Sequence, residues 1–281
     1  MSERFLPIAV CNSVERKMAK QTIEIIHQDS DLVVINKPAG VSVTKDRSGL
    51  ADVLDRLRGQ LGSEAELRLI HRLDKYTSGV MIIAKTPRAQ SVYSSLFEKR
   101  KVKKTYLALV GGIVSRPSGT IKAPLSRNQK GVQAMYVNPR SGKPAITGWE
   151  LLADFGLLSL LKVSPLTGRT HQIRVHLRSA GMPLAIDPVY SGDRPVMLSD
   201  FKSNYRLSKG RTEKPLIDRM TLHAYQLEVP KMDDTGTITF IAGLDKQFAA
   251  CIKMLTKHSP AAEDAFIDRD VLSAILNVEA I

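Results

Sequence analysis

The most informative stretch of this chain reads His71-Arg72-Leu73-Asp74-Lys75-Tyr76-Thr77-Ser78-Gly79-Val80. Asp74 is its only acid, and the cations and hydroxyls around it are suited to holding RNA. Gly79 allows a tight turn into the apolar run Val80–Ala84, which is typical of a buried strand. The pattern places Asp74 on a loop that enters a rigid strand, where a catalytic group can be held firmly. The alternative is a turn aspartate that pairs with a neighbouring arginine.

The rest of the chain predicts strands and helices in an irregular order. Apolar residues at helical spacing predict helices at 50–61, 89–97 and 245–257, and Thr170 is a suitable N-cap for a helix ending at Gly181. Apolar runs and alternation predict strands at 23–26, 32–35, 80–84, 106–110, 132–137, 146–152, 157–163, 222–229 and 237–242. Without regular βαβ alternation, we predict an α+β fold with a central mixed, largely antiparallel β-sheet flanked by helices and loops.

The chain divides into a long central part and two flanking segments of different composition. Residues 1–21 are mixed and polar, and we expect them to be poorly ordered. Residues 22–258 form the expected folded domain, with a polar, basic insertion at 191–220. Residues 259–281 form an acidic C-terminal tail, which we predict to be helical because Ile267, Val271, Ile275 and Val278 share a helical face. This tail could either pack against the folded domain or bind a partner, and the sequence leaves both interpretations open.

The charge of the chain indicates a polyanionic partner. The formal net charge is +13, which suggests nucleic acid or an anionic membrane. No apolar run approaches transmembrane length. The two cysteines, Cys11 and Cys251, cannot form a disulfide framework and fit a reducing cytosol. We therefore expect a cytoplasmic protein that binds nucleic acid and no membrane.

Further motifs stand in a fixed order around the Asp74 stretch, namely Lys37-Pro38-Ala39-Gly40, Val102–Gly111, Thr167–Leu177 and Leu222-His223-Ala224. Together with that stretch they resemble the RluA-type family of RNA pseudouridine synthases, over roughly residues 22–258. The resemblance implies a pseudouridine synthase fold with an active-site cleft across the sheet. It implies an isomerase (an intramolecular transferase) that converts uridine to pseudouridine in ribosomal or transfer RNA, without a cofactor or metal. We also expect a monomer that needs no obligatory protein partner.

The resemblance assigns the catalytic roles to Asp74, Tyr106 and Arg174. Asp74 is the carboxylate that acts as nucleophile or base at the sugar. Burial alone would raise the pKa of such a carboxyl, whereas a nearby cation lowers it, which is the role implied for Arg174. Tyr106 would stack on the flipped uracil and act near the proton lost from C5. The alternatives are a surface arginine on a basic helix and a tyrosine that only fills the core.

The RNA-binding residues are predicted from the same resemblance and from basic runs in the sequence. Arg72 is the position that fills the space vacated by the flipped base, although a simple phosphate contact is the alternative. Three histidines, His171, His176 and His223, are interpreted as structural. The other predicted RNA-binding residues are His71, Lys75, Thr77, Arg169, Lys103 and Lys104.

The sequence departs from the family in three ways, one of which is Thr44 in place of a histidine that many members carry. Only about 21 residues precede the first predicted strand, so we expect a member without the N-terminal S4 domain that many relatives carry. The segment Gly181–Tyr190 differs from the form common in the family. We predict that the insertion at 191–220 contacts RNA that flanks the target.

Two other functions remain open at this point. A non-catalytic RNA-binding or ribosome-assembly protein on the same fold would share the charge. A non-catalytic role, however, would not explain why Asp74, Tyr106 and Arg174 are all present. A metal-dependent hydrolase would need clustered carboxylates or a His-x-x-x-His helix pair beside Asp74, and the sequence has neither.

Overall fold

A computed structural model describes residues 22–46, 49–128, 134–208, 210–259 and 269–278. The segment 1–21, predicted to be poorly ordered, lies outside the described residues. The helices of the described part are α1 (Val53–Leu61), α2 (Pro87–Glu98), α3 (Gln172–Ser179), α4 (Lys246–His258) and α5 (Arg269–Leu276). Its strands are β1 (Glu24–Gln28), β2 (Leu32–Lys37), β3 (Arg68–Leu69), β4 (Ser78–Ala84), β5 (Lys103–Gly111), β6 (Ser118–Lys122), β7 (Leu125–Arg127), β8 (Met135–Val137), β9 (Ile146–Asp154), β10 (Leu158–Pro165), β11 (Leu222–Pro230) and β12 (Thr237–Ile241).

One 10-stranded sheet forms the centre of the described structure. Its order is β1-β2-β4-β11-β5-β10-β9-β6, with β3 beside β4 and β12 beside β11, while β7 and β8 form a separate hairpin. β4 and β11 run parallel, and the other pairs in the sheet are antiparallel. The predicted α+β class with a mixed, largely antiparallel sheet is confirmed.

Strand β4 carries the Asp74 loop into the middle of the sheet. All 7 of its residues are buried, as the apolar run predicts. Gly79 has a φ of 115°, and a Cβ atom there would collide with the carbonyl oxygen of Ala224 on β11. Glycine is therefore required where the two parallel strands approach, and the loop before it is held by a rigid frame.

Strand β5 separates two apolar clusters because its side chains alternate between the faces of the sheet. Leu107 and Leu109 contact the cluster that contains Phe248 of α4. Ala108 and Val110 belong to the opposite cluster, with Ile173 and Leu177 of α3. Tyr106 packs against this second cluster and against the cluster around β2 and β4. Tyr106 and α3 therefore share one face, and α4 covers the other.

The insertion at 191–220 packs on the face covered by α4. Val196 pairs with Ile217 in an isolated bridge, and both are buried with Phe201 in the Phe248 cluster. A short 3₁₀ helix, Leu198–Asp200, lies between them. The insertion is therefore anchored by apolar side chains on the face opposite to Tyr106.

Helix α5 packs on this face too. Leu272 and Ile275 are buried in the Phe248 cluster, and Val271 packs against it. For the described residues 269–278, packing against the body is therefore the correct interpretation of the acidic tail. Ile267, which we predicted on the same helical face, lies outside the described residues.

The helix ends show where local sequence signals are sufficient. Asp52 caps α1 by accepting the amide of Asp55, and Gly62 with a φ of 108° ends the helix as predicted. The prediction for α3 is wrong at both ends: His171, not Thr170, precedes the first helical residue, and the helix ends at Ser179. His171 makes no side-chain cap hydrogen bond, and the side chain of Gln172 instead accepts the amide of Arg169, which precedes the helix. Every helix in the described segments is too short or too polar to cross a bilayer.

Candidate active site

Asp74, Tyr106 and Arg174 meet in one cleft of about 720 Å³ on the face of the sheet that carries α3. Its walls are the loop before β4, the beginning of β5, the turn after β10 and the first turn of α3. The volume lies within the usual range of ligand sites. The cleft also contains five of the predicted RNA-binding residues, Arg72, His71, Thr77, Lys104 and Arg169.

Asp74 is held by Arg174 across the cleft. Arg174 Nη1 donates to Asp74 Oδ2 at 3.0 Å, with 27% of the Asp74 side chain and 3% of the Arg174 side chain exposed. An ion pair that is shielded from water on one side is stronger than a surface pair. The alternative of a surface arginine is therefore wrong for Arg174.

Arg174 is in turn fixed by Asp187, which our sequence analysis did not identify. Arg174 Nε and Nη2 donate to the two carboxylate oxygens of Asp187 at 2.7 and 2.8 Å, and Asp187 is 1% exposed. Burial alone would lower the pKa of Arg174, but the hydrogen bonds and charge of Asp187, and then Asp74, raise it above its usual value. Arg174 is therefore permanently charged. A sequence signal for Asp187 existed, because it keeps the final aspartate of the form that is common in the family for this segment.

Tyr106 faces Asp74 as a neutral phenol. Burial, and then the charge of Asp74, raise the pKa of its hydroxyl far above the ordinary value. The ring packs against two apolar clusters and also forms part of the cleft wall, so it is more than a core residue. A protonated phenol in this place can donate a hydrogen bond, and its ring offers a surface for stacking.

The three histidines that we interpreted as structural differ in position. His176 bonds Thr147 Oγ1 and the carbonyl of Ala123 through its two ring nitrogens, and His223 bonds Ser78 Oγ and the carbonyl of Ala242. The structural interpretation is confirmed for these two. His171 instead lies in the cleft, with its Nε2 3.9 Å from Asp74 Oδ2.

His71 supports the Asp74 loop from below. Its ring stacks on Phe97 at a centroid distance of 4.3 Å, and its Nε2 accepts the amide of Ile82 at 3.0 Å. Burial, and then the charge of Lys104, lower the pKa of His71 to about 3. Thr77 is 2% exposed at the base of the same cleft. His71 is therefore a neutral support, and any contact it makes with RNA uses a neutral ring.

The rim of the cleft is basic. Arg72 and Arg100 are exposed there, and Lys104 reaches the cleft from β5. Burial, and then the charge of Arg100, lower the pKa of Lys104. Arg169 Nε donates to the carbonyl of Pro144 at 3.3 Å, which orients its side chain beside α3. These cations are placed to contact the phosphates of a bound RNA.

Two predicted RNA-binding lysines do not reach the cleft. Lys75 Nζ donates to Asp46 Oδ2 at 2.9 Å, and Lys103 Nζ donates to Glu228 Oε1 at 2.8 Å. Lys103 precedes Lys104 in β5, and consecutive strand residues face opposite sides. The described residues of the insertion at 191–220 likewise stand outside the cleft lining.

The chain is similar to known proteins over most of its length. Residues 31–179 match the family described as RNA pseudouridylate synthase. The chain is 35% identical over 239 residues to ribosomal large subunit pseudouridine synthase D of Neisseria meningitidis serogroup B, which covers 83% of this chain and 61% of that protein. It is 36% identical over 244 residues to synthase C of Salmonella typhi, which covers 85% of this chain and 72% of that protein.

A solved human structure shares the fold. The human RNA Pseudouridylate Synthase Domain Containing 1 superposes with a TM-score of 0.67 at 26% identity, covering 93% of this chain and 96% of that one. The fold is therefore that of the pseudouridine synthase domains. The chain belongs to the RNA pseudouridine synthase family, as its resemblance to the RluA-type members indicates.

Proposed function

We propose that this protein is an RNA pseudouridine synthase that isomerises specific uridines of ribosomal or transfer RNA. The observation that carries the proposal is the Asp74 carboxylate held by Arg174, opposite the Tyr106 ring, in a cleft with a basic rim. The relatives named above are ribosomal large subunit enzymes, which favours ribosomal RNA as the substrate.

The cleft suits a uridine that has left its stack. Base flipping brings the target nucleotide to the carboxylate, and the planar guanidinium of Arg72 takes the space that the base leaves. Arg72 is exposed at the rim, where an arginine can enter the RNA while the base enters the cleft. The uracil then lies between Asp74 and Tyr106.

The reaction is a rearrangement within one nucleotide. Asp74 acts as nucleophile or base at the sugar, the bond from N1 of uracil to the sugar breaks, and the uracil turns. A new bond joins C5 to the sugar, the C5 proton leaves, and N1 gains a proton. The neutral hydroxyl of Tyr106 serves near C5 in this exchange. Nothing is oxidised or reduced, so the reaction needs no electron carrier.

The chemistry also proceeds without a metal in this proposal. Within the described residues, histidine, cysteine and carboxylate side chains do not form a group of three able to hold a metal ion. We expect the protein to be cytoplasmic. We also expect the purified protein to act as a monomer on RNA without bound proteins. Activity that is unchanged by chelators, with a sedimentation mass of one chain, would support this part of the proposal.

The experiment that tests the function is pseudouridine mapping of total RNA from cells that lack the protein. The cells are complemented with wild type, with Asp74→Ala, or with Glu64→Ala as an exposed control outside the cleft. Sites that wild type and the control restore, and Asp74→Ala does not, identify the activity and the substrate together. If no site changes in the deletion, a non-catalytic RNA-binding role becomes the better explanation.

A further inference from the structure

We propose that His171 is a positioning residue that shares Asp74 Oδ2 with Arg174, so that Asp74 Oδ1 is the oxygen that reacts with the uridine. This inference rests on the proposed function. It concerns a residue that our sequence analysis interpreted as structural, and it assigns different tasks to the two oxygens of one carboxylate.

The first observation is that both nitrogen donors near the Asp74 carboxylate lie beside the same oxygen, Oδ2. Arg174 Nη1 donates to Oδ2 at 3.0 Å, and His171 Nε2 lies 3.9 Å from the same atom. In the part of the chain that the structure describes, no hydrogen bond is made to Oδ1. Oδ1 can therefore approach a reactant without first giving up a hydrogen bond.

The second observation defines which nitrogen of His171 carries the proton. The hydroxyl of Tyr190 accepts the amide of Met135 at 2.8 Å and lies 2.9 Å from His171 Nδ1. Because this hydroxyl already accepts from Met135, we assign its one proton to the bond with Nδ1 as the acceptor. The neutral ring therefore carries its proton on Nε2, which points at Asp74.

The third observation is that the protein holds His171 in an uncommon backbone conformation. Its φ of 51° lies in the left-handed region, which costs free energy for a residue with a Cβ atom. Its ring meets Tyr190 edge to face at 5.6 Å. Strain of this kind is typical of residues whose side chain must be aimed at a functional site.

Burial keeps His171 neutral, against the net pull of the carboxylates around it. Burial lowers the pKa of the ring; Asp74 and Asp187 oppose this, and Arg174 reinforces it, with the lowering dominant. At 3.9 Å the His171 contact is longer than a hydrogen bond. Such contacts commonly close when the substrate binds, and closure would complete the pair of donors on Oδ2.

Two substitutions at His171 separate the donor role from a backbone role. His171→Gln places an amide N–H near the position of Nε2 but fits a left-handed φ poorly. His171→Asn tolerates that φ and keeps an acceptor near Nδ1, but has no donor at the position of Nε2. If the N–H at the Nε2 position matters, His171→Gln retains more activity than His171→Asn. If His171 has only a backbone role, His171→Asn retains more activity than His171→Gln.

The measurement is the single-turnover rate of pseudouridine formation at saturating RNA, together with RNA affinity and the unfolding midpoint. We expect His171→Asn to lower the rate roughly 10- to 100-fold with unchanged affinity, the range typical of groups that orient a reacting ligand. His171→Gln should stay within roughly threefold of wild type. Asparagine activity equal to or above that of glutamine would overturn the proposal. Ser179→Ala, at the exposed end of α3, is the control.

Tyr190→Phe tests whether the Tyr190 hydroxyl orients the His171 ring through Nδ1. It keeps the aromatic face 4.9 Å from Arg174 Cζ and removes the hydroxyl that orients Nδ1. We expect a smaller loss than in His171→Asn, and no further loss when the two changes are combined. Additive losses would contradict the assignment. Wild type that is active while Asp74→Ala is inactive shows that the proposed function holds, whatever the His171 variants do.

Discussion

The two faces of strand β5 are built from different kinds of side chain. On one face, Asp74, Arg174 and Asp187 form a charged chain that continues from the cleft to a buried carboxylate. On the other face, α4, α5 and the insertion bury apolar side chains around Phe248. Buried charges are costly and need every partner, whereas an apolar cluster depends on volume and contact area. The comparison teaches that activity and stability should respond to different substitutions.

The sharpest way to break the charged face is Asp187→Ala. The change leaves Arg174 buried without its bidentate partner, and removing one member of a buried pair typically costs about 3–5 kcal/mol. Arg174 should then turn fully toward Asp74 or withdraw from it, and we expect the rate of pseudouridine formation to fall by roughly 10²-fold or more.

Chemical denaturation and single-turnover assays on the same preparation check this prediction. Asp200→Ala, in the 3₁₀ helix of the insertion, is the control on the opposite face. A stable Asp187→Ala protein with normal activity would show that Arg174 does not depend on Asp187.

The apolar face should respond in the opposite way to Phe248→Ala. Phe248 is 0% exposed, and removing a buried phenylalanine side chain costs about 3–5 kcal/mol. The folded fraction should keep its rate per molecule, because the cluster does not touch the cleft. Denaturation midpoints and active-site titration separate the two quantities. A loss of rate per folded molecule would mean that the two faces are coupled.

The pH dependence of stability offers a further test, because buried histidines titrate and the apolar side chains around Phe248 do not. Burial lowers the pKa of His223 to about 4 and of His71 to about 3, from an ordinary value of 6.5. Below pH 6.5 the unfolded chain takes up protons that the folded chain refuses, so these two histidines stabilise the fold above pH 6.5. We expect this stabilisation to be lost progressively as the pH falls from 6.5 to 4.

Unfolding free energy measured between pH 6.5 and 5 checks this prediction. Each histidine adds up to about 1.4 kcal/mol per pH unit to the slope. His223→Gln should reduce the slope of unfolding free energy against pH by the contribution of one histidine. An unchanged slope in that variant would show that His223 is protonated in the fold or does not report on folding.

The smallest expected effect compares one lysine from each face. Lys104 lines the cleft, whereas Lys202 lies in the insertion on the other side of β5. Lys104→Gln should reduce the slope of log affinity against log salt by about one, whereas Lys202→Gln should do so only if the insertion contacts RNA as predicted. Filter binding at several salt concentrations measures both. An equal loss with Lys202→Gln would support our prediction that the insertion contacts RNA beyond the target.

Local signals in the sequence were sufficient for some features only. The apolar run of β4 and the end of α1 at Gly62 follow from short-range patterns, whereas α1 begins at Val53 and not at the predicted residue 50. Short and polar strands such as β6 carry no comparable pattern, since their exposed residues pair only because β9 lies beside them. The predicted strand at 132–137 is found from Met135 to Val137; Ala134 precedes it, and residues 132 and 133 lie outside the described residues.

The sequence by itself determined the family, the order of the motifs and the three residues Asp74, Tyr106 and Arg174. Only the tertiary structure decided which side chains complete the site. Asp187 and His171 reach Asp74 and Arg174 through contacts between separate segments of the chain, and no periodic pattern encodes such contacts. The face on which the insertion packs was likewise decided by tertiary contacts. A side chain's neighbours across a sheet depend on how the whole chain folds, whereas its helical or strand pattern depends on its own segment.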